Sequence, residues 1–180
     1  MANHLEQLIS EWLEFKGYFV RRNVKVGKLS HGGHEGELDI VAYHPIDDHL
    51  VQIEPSIDPH SWGKREVRFR KKFKAGRKYI IPEIFPWLPR DTWLHHNKKF
   101  EQWAVLWGSR KNHPKVGGGT VVPLWDLCQR ISHDIMAVGK VRLIPEQFPL
   151  LRTMQFTMRW VKARKAETEV DAELRVQRNV

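Results

Sequence analysis

The sequence predicts an α/β fold: a mixed central sheet flanked by helices, with a helical extension at the C-terminal end. Three observations point there. Apolar residues recur at helical spacing near the start, at Leu5, Leu8, Ile9, Trp12 and Leu13. Three short β-branched or aromatic runs follow, separated by turn-forming residues. A second helical pattern and another apolar strand come next, and the order helix, three strands, helix, strand is that of an α/β domain.

The spacing predicts a first helix over residues 3–16, with Gly17 as its stop. The strands are expected at 18–26, 37–43 and 50–54. A flexible, glycine-bearing run at 27–36 separates the first two strands, and a turn by composition at 44–49 separates the second pair. A second helix is expected over 61–76, where Trp62, Phe69 and Phe73 form an apolar seam and Gly76 a stop. Residues 77–81 read as a short strand, and three prolines make 82–90 a loop with exposed aromatics or a packed insert. Further strands are expected at 102–107 and 120–122, and Pro123 opens a third helix to Met136. Residues 146–162 fit helix or strand, and from 162 the chain is a solvated helix or a disordered tail.

The 180 residues suit one domain over 1–161 and a charged tail over 162–180. With 41% hydrophobic and 28% charged residues, the chain is neither disordered nor built for a membrane. The single cysteine, Cys128, excludes a disulfide framework and a Cys-rich zinc site. The opening residues lack the pattern of a signal peptide, so a cytoplasmic location is expected. A net charge of +9 favours a polyanionic partner, nucleic acid first.

Two acids stand where strands rarely carry them. Asp39 lies within Leu38-Asp39-Ile40-Val41, and Glu54 ends Val51-Gln52-Ile53-Glu54. A turn centred between Ile46 and Asp47 pairs Tyr43 with Leu50 and sets Asp39 opposite Glu54. Directly opposed side chains share a face, with Cβ atoms ~5 Å apart. Two carboxylates so placed repel unless a cation lies between them, and Mg²⁺ (or Mn²⁺) suits oxygen ligands. The competing explanation is structural: edge-strand charges, or partners of nearby arginines.

The order of these features resembles the PD-(D/E)XK nuclease superfamily, the restriction-endonuclease-like fold with its αβββαβ core. Asp39 matches the family's first acid, on the second core strand, and Glu54 the second, on the third strand. Glu6, eleven residues before Gly17-Tyr18, matches the first-helix glutamate of many members. The resemblance implies a Mg²⁺-dependent phosphodiesterase in which Asp39 and Glu54 coordinate the metal, joined by the Pro55 carbonyl, with Glu6 completing the shell. It covers residues 3–81, and reaches 137 if 120–122 and the third helix belong to the core. The family's Glu-x-Lys reads here Glu54-Pro55-Ser56. Either Ser56 orients the attacking water or a lysine of the second helix substitutes, Lys64 first and Lys71 or Lys72 next. Otherwise the scaffold binds nucleic acid without cutting it, as a non-catalytic or adaptor protein.

The second helix carries seven bases and one acid over 64–74, and Lys64, Arg65, Arg68, Lys71 and Lys72 are its candidate phosphate contacts. A solvated amphipathic face is the plain alternative. DNA rather than RNA follows from the resemblance alone, and a homodimer is compatible with it. Among the eight tryptophans, Trp87, Trp93, Trp103 and Trp107 are able to stack on bases, although core packing is the commoner use. His31 and His34 are too isolated for a zinc site.

Overall fold

In the computed structural model, residues 3–89, 100–108, 111–139 and 142–178 are described. The first helix, α1 (His4–Phe15), starts where Asn3 caps it, its side chain accepting from the Leu5 amide at 3.1 Å. It buries Ile9, Trp12 and Leu13. Gly17, at φ 91°, lets the chain leave the helix. Strands β1 (Phe19–Lys28) and β2 (His34–His44) are longer than the sequence suggests, because only residues 29–33 of the expected flexible run lie outside them. A short turn leads from β2 into β3 (His49–Ser56), and Tyr43 faces Leu50 there, in the register expected from the turn.

The second helix, α2 (Trp62–Tyr79), runs through the expected stop at Gly76 and ends in a π-helical turn, Ile80–Ile84. The strand expected at 77–81 is therefore helical. Long-range packing decides this: Ile80, Ile81 and Ile84 join Val26, Leu38 and Leu50 in one buried cluster. The Glu83 carboxylate accepts from the Gly27 amide at 3.1 and 3.3 Å, fixing the π turn to β1. The segment that follows is a packed insert, with Phe85 and Leu88 buried and Trp87 exposed.

Strands β4 (Phe100–Leu106), β5 (Lys115–Val116) and β6 (Gly119–Pro123) complete a six-stranded open sheet of order β1-β2-β3-β4-β6-β5. The first three strands form an antiparallel meander, β3–β4 and β4–β6 are parallel, and β5–β6 is antiparallel. The expected α/β class with a mixed sheet flanked by helices is thus the observed one. Helix α3 (Leu124–Ala137) follows Pro123 directly, and helix α4 occupies Pro149–Arg178. The ambiguous stretch is helical from Pro149 onward.

The chain divides into two compact units, Met1–Cys128 and Gln129–Val180. The first holds the whole sheet. Within the second, the Gln155 amide accepts from the Ile144 N–H at 3.0 Å and donates to the Arg142 carbonyl at 3.1 Å, anchoring the loop before α4. Among the described residues, no helix is long and apolar enough to cross a membrane.

One irregularity bears on function. Leu38 and Val41 pack into the same cluster although they stand three positions apart, so the in–out alternation of β2 breaks between them. Opposite the break, between the pairs Arg22–Ile40 and Val24–Leu38, Asn23 adopts φ 52° in the middle of β1. Left-handed backbone inside a strand marks a bend. Asp39 sits at that bend.

Candidate active site

The antiparallel β2–β3 pairing ends at Ile40–Ile53, so the next positions outward are Asp39 and Glu54. Their side chains converge. Lys72 of α2 places its Nζ 2.5 Å from Asp39 Oδ1 and 2.5 Å from Glu54 Oε2. The roll of α2 is set by Phe69 and Phe73, which bury themselves against Ala104, Leu106, Val116 and Val121. With Phe73 turned onto β4 and β6, the preceding Lys72 reaches the acids on β2 and β3. The side chain of Glu54 is 1% exposed, that of Asp39 13% and that of Lys72 20%, so the cluster opens to solvent on the Asp39–Lys72 side.

One ammonium answers two carboxylates, which leaves a negative charge in a nearly closed space. Burial, reinforced by the neighbouring Asp39 carboxylate, pushes Glu54 up to about 8 against the opposing pull of Lys72. The two acids lie close enough for a protonated Glu54 to hydrogen-bond Asp39. Lys72 moves above its usual value: desolvation lowers it, but the attractions and hydrogen bonds of both acids outweigh that loss. Below about pH 8 the proton on Glu54 offsets the second carboxylate.

A chain of amides stands behind Glu54. Gln52 Nε2 donates to Glu54 Oε1 at 2.8 Å and to the Lys72 carbonyl at 3.2 Å. Gln102 Nε2 donates to Gln52 Oε1 at 2.7 Å and to the Phe73 carbonyl at 2.9 Å. Arg77 Nε donates to Gln102 Oε1 at 2.8 Å. Gly76 makes room for this chain: a Cβ there would stand 1.9 Å from Gln52 Oε1. The glycine that looks like a helix stop is a place of close approach.

The remaining candidates take varied positions. Glu6 lies within electrostatic reach of the cluster. Its carboxyl is raised by burial and then by Asp39, against a lowering hydrogen bond from Asn3, at 2.6 Å, and the charge of Lys72. Pro55 faces Val105 of β4 in the ladder, so its ring leaves the face that carries Glu54. Ser56 is buried on the Glu54 face, where its hydroxyl donates to Asp58 Oδ2 at 3.1 Å and lies 3.5 Å from Arg68 Nη1. Lys64 is exposed on α2. It stands eight residues before Lys72, which at 1.5 Å per residue is ~12 Å along the axis. Of the three lysines weighed for the missing motif position, the structure brings Lys72 to the acids.

Among the phosphate candidates, Lys71 is exposed like Lys64. Arg65 instead donates to the Asp58 carbonyl at 2.7 Å, and Arg68 pairs with the Asp58 carboxylate at 2.6 Å. Trp87 and Trp107 are exposed, whereas Trp103 donates to Glu101 at 2.7 Å. Trp93 lies outside the described residues. His31 and His34 are exposed.

Sequence reasoning overlooked Gln52 and Gln102. Their signal is present in hindsight, because each is an amide inside an apolar strand, the same anomaly that singled out Asp39 and Glu54. Among the described residues, no group of three or more His, Cys, Asp or Glu side chains is arranged to hold a metal ion. No protein-family model matches this chain, and no curated protein matches its sequence. The geometry of the acids, the lysine and the amides carries the functional argument.

Proposed function

We propose that this protein is a Mg²⁺-dependent nuclease of the restriction-endonuclease-like, PD-(D/E)XK type that hydrolyses phosphodiester bonds of DNA. Asp39 and Glu54 are its two acids, and Lys72 replaces the strand lysine from α2. The observation that carries this reading is the single ammonium held 2.5 Å from each of two carboxylates on adjacent strands. The order of elements supports it as well: α1, the antiparallel β1–β3 meander, α2, then β4 parallel to β3 follow the αβββαβ core that the resemblance implies. DNA as the substrate rests on that resemblance, and a cytoplasmic setting belongs to the same reading.

The donor set fits a hard divalent cation. Mg²⁺ characteristically takes one or two carboxylates and completes its shell with water and phosphate oxygens, which Asp39 and Glu54 satisfy without a third acid. When bound, it supplies Lewis acidity toward the phosphate and a water of lowered pKa. The chain's own contributions are distinct. Lys72 supplies a fixed positive charge where the phosphate gains negative charge. Glu6, at the edge of the cluster, is placed to orient water through its carboxyl. Ser56, tied to Asp58 and Arg68, braces the start of the loop that leads into α2 rather than acting on the substrate.

The second reading, a non-catalytic nucleic-acid-binding or adaptor protein, has one observation in its favour: Lys72 already fills the point between the acids. One experiment separates the two. Purified protein is incubated with supercoiled, linear, single-stranded and branched DNA in Mg²⁺ or Mn²⁺. The nuclease reading expects cleavage that falls on the order of 10²-fold or more in Asp39→Ala, Glu54→Ala and Lys72→Met, while DNA binding persists. Intact substrates throughout, at enzyme excess, would leave the adaptor reading.

A further inference from the structure

We infer that Gln52 is a positioning residue for this chemistry, with Gln102 locking it in place; this rests on the nuclease reading. Its amide fixes Glu54 Oε1 and so turns Glu54 Oε2 toward the point shared with Asp39 and Lys72.

The directions of the hydrogen bonds are forced from one end. The guanidinium of Arg77 only donates, so the group of Gln102 that faces it, at 2.8 Å, is the oxygen. The amino group of Gln102 then faces Gln52 Oε1, at 2.7 Å. That leaves the amino group of Gln52 pointing at Glu54 Oε1, at 2.8 Å. Neither glutamine is free to flip alone without losing three bonds. The chain runs from a cation to a carboxylate with every dipole aligned.

Gln52 does more than hold the acid. Its amino group also bonds the Lys72 carbonyl, at 3.2 Å, so one side chain touches both the acid and the helical turn that delivers the lysine. It thereby sets the separation of Glu54 and Lys72. A core position in β3, 0% exposed, would hold an apolar residue at no cost to packing. A paired apolar substitution is often neutral for stability. The polar network and the glycine cleared for it at Gly76 are consequently explained by the acid it aims.

The test compares wild type with the double variant Gln52→Met/Gln102→Met, which keeps the volume and removes the amides together. Three quantities are read: kcat, KM for DNA, and the Mn²⁺ dissociation constant by calorimetry. The expected result is a fall in kcat and in Mn²⁺ affinity of about 10–100-fold, with KM for DNA within about twofold. A double variant that melts like wild type and keeps kcat and Mn²⁺ affinity within about twofold overturns the proposal. If it does not fold, Gln102→Met alone decides. That variant leaves the bond to Glu54 but frees the amide behind it. A loss of about threefold or more in kcat and Mn²⁺ affinity supports the proposal, and no change overturns it. Should wild type bind Mn²⁺ yet cut nothing, the nuclease reading fails and the affinity ratio alone judges Gln52. Should it bind no Mn²⁺, both fall.

Discussion

Glu54 is a carboxyl group that prefers its proton until about pH 8, because it is buried and faces Asp39. Its folded value lies above its ordinary one, so between about pH 4.5 and 8 the native state holds a proton that the unfolded chain releases. The stability it contributes is full below that window and lost as the pH rises through it. Without divalent cation, urea unfolding of wild type should show falling stability from pH 5 to pH 8, and Glu54→Gln should flatten that slope. A slope identical in the two proteins would show that Glu54 does not titrate in this window. Asp39 and Glu54 were legible in the sequence because acids break the β pattern around them. The two glutamines were not, since an uncharged amide in a strand raises less suspicion than a carboxylate. Lys72 was legible only as one of three lysines able to fill the motif position, and placed behind Lys64, because which of them turns inward depends on where Phe69 and Phe73 find their pocket.

At the scale of the element, α2 has the most to explain. Its sequence suggests a stop at Gly76, yet the helix continues because isoleucines beyond it are claimed by β1, β2 and β3. No local signal carries that information. The same glycine gives a prediction that runs against helix propensity. In an exposed helix interior, Gly→Ala stabilises by about 1 kcal/mol. Here the added methyl would collide with Gln52. Gly76→Ala should therefore destabilise by about 1–3 kcal/mol, as overpacking does, and reduce cleavage as well. Thermal melting and a cleavage time course check both, and a raised melting temperature with full activity would contradict the close packing. The register of the β2–β3 hairpin, by contrast, was readable to the residue, because a short turn between two apolar runs leaves little freedom to slip.

For the molecule as a whole, the excess of positive charge is distributed unequally in its availability. Arg65 and Arg68 are committed to Asp58, whereas Lys64 and Lys71 project into solvent. If α2 tracks phosphates, each exposed lysine replaced by alanine should reduce the slope of log affinity against log salt by about 1. Arg68→Ala should instead loosen the segment at Ser56–Asp58 and leave the slope nearly unchanged. Fluorescence anisotropy on a DNA duplex at several salt concentrations measures these slopes. The fold class emerged from the sequence because strand and helix periods are local properties. The placement of β5 and the division near Cys128 did not, being outcomes of which surfaces meet across the chain.

The β2–β3 hairpin also has a consequence in time. It closes across a few residues, whereas the helix bearing Lys72 must dock from further along and β4 pairs only after the crossover 57–99. If the hairpin closes first, the two acids meet before their ammonium arrives, with like charges opposed. Refolding followed by stopped-flow tryptophan fluorescence should accelerate as the pH drops from 8 to 5, and Asp39→Asn should erase that acceleration.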